Sequence, residues 1–332
     1  MSETPLIELR NVTMMFRVGG GIFSKPSFIK AVDNVSLAIY EGEAFSLVGE
    51  SGCGKSTLGR IMLGLYKPTY GQVLFRGKDI WSMDKKEFLD FRRNAQIIHQ
   101  DPYDALNPMR TVYDALAPPL IRYKLAKSRL ETREKVCELL RMVGLSPPED
   151  FLRRHPSRLS GGQMQRIAIA RAVSVRPSFI VADEAVSMLD ASLRISIINL
   201  LLDLKNKFNM ACLFITHDID MARYFTRTGR AAVMYLGSIV EIGRIEEILG
   251  DPLHPYTSIL ISATPVPDPK IAKSSEPPRL RSLEIPSLIN PPSGCKFHTR
   301  CPYAKDICEK EAPKLEEVKP GHFVACHFPG QF

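Results

Sequence analysis

Two different spacings of hydrophobic residues follow one another along the chain. Residues 7–12 and 35–48 mix alternating apolar positions with β-branched residues, which predicts strands. The second run ends at a glycine-rich turn, and residues 55–65 then carry the spacing of a helix. The first part of the chain therefore predicts a strand, a loop and a helix in that order.

A helical block occupies the middle of the chain. Residues 96–99 predict a short strand, and residues 111–125 and 128–143 carry helical spacing of apolar positions. Prolines are expected to bracket these helical segments at Pro118, Pro119, Pro147 and Pro148. We interpret this block as a helical insert.

Apolar runs at residues 179–182 and 211–216 are each followed by a helical pattern. Strands that alternate with helices predict an α/β fold with a mostly parallel sheet, and function at the carboxyl ends of its strands. From Asp251 onward frequent prolines predict an extended connection, and a separate tail begins near Gly294.

Composition narrows the class of protein. The 332 residues are 45% hydrophobic and 24% charged, which is ordinary for a globular chain of about two domains. The net charge of +8 is compatible with nucleotides, lipid headgroups or nucleic acid as partners. No run approaches the roughly 18 apolar residues of a membrane span, and the N-terminal MSETPLIELR lacks the apolar segment of a secretory signal. We therefore expect a cytoplasmic protein that does not cross a membrane.

A phosphate-binding motif follows the run that ends at residue 48. Residues 49–56 read GESGCGKS and fit the P-loop pattern between a predicted strand and a predicted helix. Backbone N–H groups of such a loop turn onto phosphate oxygens, Lys55 bridges the β- and γ-phosphates, and Ser56 offers its hydroxyl to Mg²⁺. The predicted nucleotide-binding residues here are Gly49, Ser51, Gly52, Cys53, Gly54, Lys55, Ser56 and Thr57.

Phosphoryl transfer also needs a carboxylate on the metal side and a group that handles the attacking water. Asp183 ends an apolar strand and is predicted to hold Mg²⁺ through its water shell. Glu184 follows as the predicted general base or water-orienting group. By itself an Asp-Glu pair is most often a loop or helix-cap feature, so this prediction depends on the P-loop upstream.

Residues 159–163 read LSGGQ, which resembles the signature of ATP-binding-cassette (ABC) ATPases. Ser160, Gly161 and Gly162 open a predicted helix whose N–H groups, hydroxyl and dipole face an anion. The resemblance implies that this anion is the γ-phosphate of an ATP held by an opposing subunit, so that dimerisation is part of catalysis. The predicted ATP-binding residues of this string are Ser160, Gly161, Gly162 and Gln163.

The resemblance carries further roles onto single residues. Gln100 resembles the Q-loop glutamine that contacts Mg²⁺ or the lytic water, Asp190 the D-loop aspartate that couples two sites, and His217 the switch histidine on the γ-phosphate. Phe16 is expected to stack on adenine, with Phe28 as its rival. The predicted catalytic residues are thus Glu184, His217 and Gln100, and the predicted Mg²⁺ ligands are Ser56, Gln100 and Asp183.

The same resemblance implies a RecA-like P-loop NTPase core with an ABC β-subdomain and a helical subdomain insert. We assign residues 5–250 to the nucleotide-binding domain, with the helical subdomain at about 101–172. Residues 251–332 form a small cysteine-rich C-terminal extension, with a four-cysteine site at 295–326.

Two strings resemble the oligopeptide and dipeptide importer branch, namely HPYT at residues 254–257 and DPYDALNP at residues 101–108. That resemblance implies a peripheral ATPase at the cytoplasmic face of the cell membrane. Its partners would be a second, nonidentical ATPase, two membrane-spanning permeases and an external solute-binding protein. Members of the branch move peptides, nickel complexes or oligosaccharides, so the cargo stays open.

Four cysteines crowd the C-terminal extension, at Cys295, Cys301, Cys308 and Cys326. Four thiolates suit Zn²⁺ or an iron–sulfur cluster. Structural zinc usually pairs ligands two to four residues apart, so these wider gaps favour [4Fe–4S], which several members of the branch are thought to carry. Zn²⁺ and four free thiols remain alternatives, and the further candidate ligands are His298, His322 and His327.

Two other functions remain open. A soluble cassette ATPase acting on nucleic acid would fit the positive charge, but those relatives typically carry two cassettes or long coiled-coil inserts. We therefore expect no nucleic-acid partner. Alternatively, the C-terminal tail senses redox state or metal and changes the ATPase activity in response. We expect instead that the tail has a structural role.

Overall fold

The computed structural model describes residues 4–19, 27–263 and 280–332. Their contacts divide into two compact units. The signature unit, which carries LSGGQ, comprises Met1–Ile7, Ile39–Glu43 and Leu74–Ile215, and the P-loop unit comprises Glu8–Ala38, Ala44–Val73 and Thr216–Phe332. The predicted extension at 251–332 lies in the same compact unit as the P-loop, and its status as a separate domain stays a prediction.

The secondary structure of the described residues alternates between strands and helices. The strands are β1 Ile7–Val18, β2 Ser27–Ile39, β3 Ala44–Val48, β4 Tyr70–Phe75, β5 Lys78–Asp79, β6 Ala95–Ile98, β7 Phe179–Asp183, β8 Ala211–Thr216, β9 Arg230–Tyr235, β10 Ser238–Arg244, β11 Glu316–Lys319 and β12 His322–Val324. The helices are α1 Lys55–Met62, α2 Lys85–Asn94, α3 Pro102–Ala105, α4 Val112–Arg122, α5 Arg129–Met142, α6 Glu149–Leu152, α7 Gly161–Val173, α8 Ala191–Phe208, α9 Ile219–Thr226, α10 Ile245–Gly250, α11 Pro255–Ser262 and α12 Asp306–Lys310, with 3₁₀ turns at Ile80–Ser82 and Pro156–Arg158.

In the signature unit β6, β7 and β8 run parallel in that order, with Phe179 of β7 opposite Ala95 and Ala211. Every residue of β7 and β8 is buried, which explains why both runs are continuously apolar instead of alternating. The predicted α/β core is confirmed here. Since β7 ends at Asp183, that carboxylate and Glu184 lie at the carboxyl edge of these strands.

The P-loop unit differs from the predicted parallel sheet. β3 pairs parallel with β9, but β9, β10, β12 and β11 follow as antiparallel neighbours. The change of direction comes from a two-residue turn in which Leu236 has φ 40° and Gly237 has φ 82°. Two residues at positive φ are the geometry of the tight hairpin turn that matches the twist of the strands. A second group of strands places β1 between β2 and β4.

Several boundaries differ from the sequence expectation, and three of these differences change an element. The run at 35–48 is two strands, since the chain turns at Gly42, where φ is 69° and a Cβ would lie 2.6 Å from Asn209 Oδ1. The prediction that Pro118 and Pro119 bracket a helix is wrong, because both lie inside α4. The prediction of an extended connection from Asp251 is also wrong over Pro255–Ser262, because these residues form a helix. The part of the predicted connection at residues 264–279 lies outside the described residues.

Helix α4 carries two prolines in its interior. The missing N–H groups leave the carbonyls one turn earlier, in the first turn of the helix, without helical donors. That turn is fixed by a capping box in which Thr111 Oγ1 accepts from the Asp114 N–H at 3.2 Å, while the Asp114 carboxylate accepts from the Thr111 N–H.

Among the described residues, no helix has both the length and the apolar character needed to cross a membrane.

Candidate nucleotide-binding site

The P-loop of the P-loop unit has a backbone that only glycine can follow at two points. Gly54 has φ 108°, and a Cβ there would lie 2.1 Å from the Ala31 carbonyl oxygen. Gly49 is equally confined, because a Cβ would lie 2.2 Å from the Met234 carbonyl oxygen. Helix α1 then starts at Lys55 with its first N–H groups facing the loop. The loop therefore has the glycine backbone and the helix start that the predicted phosphate cradle requires, and phosphate binding by these residues stays a prediction.

Lys55 is 4% exposed, and its ammonium is held by the loop itself. Nζ donates to the carbonyls of Gly49 at 2.7 Å and Glu50 at 2.9 Å. Cys53 is buried beneath the loop, where loss of solvent raises the pKa of its thiol above the ordinary value. The side chain at this position is thus a neutral thiol at neutral pH, which adds no negative charge beside bound phosphates.

Glu184 of the signature unit has an unusual backbone, with φ 46° for a non-glycine residue. Hydrogen bonds fix this conformation from both sides: the Glu184 N–H donates to the Ile215 carbonyl at 3.0 Å, and the Glu184 carbonyl accepts from the Ser187 N–H at 3.0 Å and the Ser187 hydroxyl at 2.9 Å. Gln100 Nε2 donates to Glu184 Oε2 at 3.2 Å. The structure therefore brings the predicted Gln100 and Glu184 together, beside the buried Asp183.

The signature string begins helix α7 with a complete capping box. Ser160 Oγ accepts from the Gln163 N–H at 3.3 Å, and Gln163 Oε1 accepts from the Ser160 N–H at 3.1 Å. The next element, α8, is capped by Asp190, whose carboxylate accepts from the Leu193 N–H at 3.1 Å. A Cβ at Gly162 would lie 3.1 Å from the Leu193 side chain, so the glycine permits α7 and α8 to approach closely.

Helix α7 also connects the signature string to the segment around Gln100. The buried Gln165 amide donates to the His99 carbonyl at 3.4 Å, and Arg171 donates to the Ala105 carbonyl. The signature helix is therefore hydrogen-bonded to the chain on both sides of Gln100. The sequence analysis did not predict these contacts. The available signal was Gln165, a polar amide in an apolar stretch of the helix, since a buried amide needs a hydrogen-bond partner.

The remaining predicted nucleotide contacts lie in the P-loop unit. His217 is an exposed residue between β8 and α9, and Asp218 after it caps α9 by accepting from the Asp220 and Met221 N–H groups. Phe16 lies in β1 and packs edge-on against Tyr66 with ring centroids 5.7 Å apart, whereas Phe28 is 48% exposed. The choice between Phe16 and Phe28 as the adenine-stacking residue therefore stays a prediction.

Comparison with known proteins decides the family. A family model described as ABC transporter matches residues 32–187, and one described as the C-terminal region of oligopeptide/dipeptide transporters matches residues 240–308. The oligopeptide transport ATP-binding protein AppF of Bacillus subtilis (strain 168) is 45% identical over 328 residues, covering 98% of both chains. The chain belongs to the ATP-binding proteins of ABC transporters.

Further relatives agree with this membership. The oligopeptide transport ATP-binding protein OppF of Escherichia coli (strain K12) is 43% identical over 97% of this ABC protein and 95% of its own chain. Among solved structures, a dimeric ATP-binding cassette in a post-hydrolysis state with ADP and Pi has a TM-score of 0.63 at 34% identity, covering 72% of this chain and 98% of its own. The predicted ATPase activity is confirmed, and the nucleic-acid alternative finds no support in these relatives.

In this ABC ATPase the HPYT string packs on the P-loop. His254 caps α11, with its Nδ1 accepting from the Tyr256 N–H at 3.0 Å, and Pro255 takes the first helical position. Tyr256 is buried, and its hydroxyl accepts from the Glu50 N–H at 2.9 Å. The Glu50 carboxylate in turn accepts two bonds from Arg300. Sequence reasoning missed Arg300 and the contact of Tyr256, since they act on a residue more than 200 positions away.

A second missed residue, Glu241, joins the C-terminal segment to β10. Its fully buried carboxylate accepts from the Leu253 N–H at 2.8 Å and the His254 N–H at 3.1 Å, and lies 2.7 Å from His322 Nε2. His322 is therefore engaged here and does not line the cysteine cavity. The available signal was a single carboxylate inside the apolar strand SIVEIGR, which requires a buried partner.

The four cysteines of the ABC protein's C-terminal region converge. Cys295, Cys301, Cys308 and Cys326 all line one small cavity of about 20 Å³, together with His298 and His327. The Cys295 N–H donates to the Cys308 carbonyl at 2.8 Å, and burial raises the pKa of Cys295 to about 12 and that of Cys326 to about 11. Within the described residues, no group of three or more His, Cys, Asp or Glu side chains is arranged to hold a metal ion.

Proposed function

We propose that this protein is the ATP-hydrolysing subunit that energises the import of oligopeptides across the cell membrane. One observation carries the proposal: the importer-type C-terminal region packs on the P-loop through Tyr256 and Arg300, so cassette and C-terminal region form one working unit. Oligopeptide transport ATP-binding proteins that match over nearly the whole chain support this cargo over nickel complexes or oligosaccharides.

The roles of the site residues follow from their local geometry. The P-loop N–H groups and Lys55 bind the phosphates, and Ser56 and Asp183 hold Mg²⁺. Glu184 acts as the general base, since its rigid backbone and the Gln100 bond orient its carboxylate before substrate arrives. His217 contacts the γ-phosphate. The helix end at Ser160 binds the γ-phosphate of an ATP on the opposing subunit, because its N–H groups and dipole favour an anion.

The partners follow from this arrangement. A signature helix that serves an opposing subunit requires a second cassette, and we infer a nonidentical ATPase chain. Two permeases and an external solute-binding protein complete the importer, so the chain sits peripherally at the cytoplasmic face of the membrane. Hydrogen bonds from Gln165 and Arg171 join the signature helix to the segment around Gln100. Through these bonds, closure of the ATPase dimer on ATP would move the segment that we expect to contact the permeases.

We further propose that Cys295, Cys301, Cys308 and Cys326 hold a [4Fe–4S] cluster, with Zn²⁺ as the alternative. Support comes from the convergence of all four thiols on one cavity. Within the described residues these side chains are not arranged as metal ligands, and the thiols would have to lose their protons on binding the metal. A bound cluster would supply a structural cross-link between the residue 295–308 segment and the chain after β12.

The proposals are tested on one preparation, a pull-down of the anaerobically purified chain from native membranes. We expect two permeases and a second ATPase by mass spectrometry, and about four irons and four sulfides per chain. Cys301→Ser should lose iron, whereas Cys137→Ser, a buried cysteine of α5 outside the cavity, should keep it. Recovery of ribosomal or nucleic-acid partners would contradict the importer, and one zinc in place of iron would contradict the cluster.

The cargo needs its own test. Reconstituted with its permeases, the complex should show ATP turnover that rises when the solute-binding protein is loaded with oligopeptides. Stimulation by nickel complexes or oligosaccharides but not by peptides would contradict the peptide assignment while leaving the importer assignment intact.

A further inference from the structure

Glu50, the second residue of the P-loop, is held at three separate points. Its N–H donates to the Tyr256 hydroxyl at 2.9 Å, its carbonyl accepts from Lys55 Nζ at 2.9 Å, and its carboxylate accepts from both terminal nitrogens of Arg300 at 2.8 and 3.0 Å. Two of these three contacts come from the C-terminal region. The loop segment beside Lys55 is thus fixed by residues that are not part of the P-loop motif.

Arg300 is built to hold one orientation. Its side chain is 6% exposed, and its guanidinium lies 5.8 Å from the Tyr235 ring centroid and 5.9 Å from that of Phe297. The Arg300 N–H donates to the Phe297 carbonyl at 2.9 Å, which fixes the backbone as well. A planar guanidinium that makes two parallel bonds to a carboxylate defines the position of that carboxylate more closely than a lysine would.

The pair is also tightly interdependent. Apart from Glu50, the guanidinium has a bond to the Tyr235 hydroxyl at 3.5 Å, and its buried Nε has no hydrogen-bond partner within the described residues. Glu50 is 28% exposed in its side chain and would carry an uncompensated negative charge without Arg300. That charge would lie in the loop that receives the triphosphate, where it repels the ligand.

We propose that Arg300 is a positioning residue for ATP binding, by which the C-terminal region sets the affinity of the P-loop for nucleotide through Glu50. Arg300 does this in two ways. It neutralises the Glu50 carboxylate, and it fixes the Glu50 carbonyl on which the Lys55 ammonium rests. The neighbouring Cys301 connects this contact to the cysteine cavity, so the C-terminal segment and the nucleotide site are linked by two adjacent residues.

The test is the dissociation constant for Mg-ATP of the full chain, measured by displacement of a fluorescent ATP analogue. Arg300→Met should weaken binding about tenfold, and Arg300→Lys about threefold, since lysine keeps the charge but not the two parallel bonds. Glu50→Gln should weaken it about two- to threefold. The double variant Arg300→Met with Glu50→Gln should bind more tightly than Arg300→Met alone, because the uncompensated charge is gone.

A matched control exists in the same unit. Arg223 makes a two-bond pair with Glu246 at 3.1 and 3.0 Å, and both side chains are exposed. Arg223→Met should leave the dissociation constant within twofold of the unmodified chain. Thermal midpoints measured on every variant separate loss of fold from loss of affinity.

Three outcomes would overturn the proposal. An unchanged dissociation constant with a lowered thermal midpoint would make Arg300 purely structural. A loss in Arg300→Met that the second substitution Glu50→Gln does not reduce would mean that Arg300 acts on nucleotide without Glu50. If Arg300→Met does not fold, Arg300→Lys and Glu50→Gln carry the test, and unchanged affinity in both would refute it.

Discussion

His254, the N-cap of α11, is predicted to make the protein sensitive to mild acid. The ring is 1% exposed, and burial lowers its pKa from 6.5 to about 4 despite the opposing effect of the nearby Glu241 carboxylate. Its Nδ1 accepts from the Tyr256 N–H, which requires the neutral ring. The folded protein therefore holds His254 unprotonated where the unfolded chain would already bind a proton.

Linkage between protonation and folding gives the sign and the size of the effect of pH on the free energy of unfolding. Because the folded pKa lies below the unfolded one, the unfolded state binds more protons between these values, and stability falls as the pH falls from about 6.5 to about 4. The pKa difference corresponds to about 3 kcal/mol in total, of which about 2 kcal/mol is lost between pH 7 and pH 5.

The perturbation is His254→Asn, which offers an oxygen to the Tyr256 N–H as N-cap but cannot be protonated. Denaturant unfolding of both chains at pH 7, 6 and 5, followed by circular dichroism, should show the variant losing about 2 kcal/mol less than the unmodified chain over this range. His155→Asn, at a half-buried position in the signature unit, controls for removal of a histidine as such. Parallel stability profiles for His254→Asn and the unmodified chain would refute the reasoning.

Three further predictions follow from single contacts. Gly54→Ala should weaken ATP binding more than tenfold, because its Cβ would lie 2.1 Å from the Ala31 carbonyl oxygen. Gly250→Ala has open space around its Cβ and should leave ATP affinity unchanged. Equal ATP affinities of the two variants in a binding titration would contradict the prediction. Ser160→Ala and Ser128→Ala each remove an N-cap and should each cost about 1 kcal/mol in denaturant unfolding, but only Ser160→Ala should slow ATP turnover. Glu241→Ala should lower the free energy of unfolding by about 3 kcal/mol, because the buried N–H groups of Leu253 and His254 lose their acceptor, while Glu247→Ala at an exposed position should change it little. Equal thermal midpoints for Glu241→Ala and Glu247→Ala would contradict this role of Glu241.

Local strings were predictable because their geometry is local. The P-loop and LSGGQ each need glycine backbone and a helix start within a few residues, and the structure has both. Helix α1 begins after Gly54, which has φ 108°, and α7 begins after Ser160, whose side chain also caps the helix. The fully buried runs β7 and β8 were recognisable for the same reason, since continuous apolar residues followed by a helical pattern have few other solutions.

Long-range pairs were not predictable from one sequence. Nothing near Arg300 indicates that it meets Glu50, and nothing near Glu241 names Leu253, His254 and His322 as its partners. The β9–β10 hairpin was missed because its turn is Leu236-Gly237, and leucine at positive φ is not a recognisable turn residue. Tertiary bonds between separate segments decide the Arg300 and Glu241 contacts, whereas the hairpin depends on a local turn whose leucine does not announce it.

We propose that this chain hydrolyses ATP with Glu184 as the base. The most direct measurement is ATP binding and turnover of the assembled complex with Glu184→Gln, compared with the exposed Glu138→Gln on α5 as control. We expect Glu184→Gln to bind ATP within about threefold of the unmodified protein and to lose at least about 100-fold in turnover, while the control keeps both. Near-normal turnover by Glu184→Gln would contradict the account.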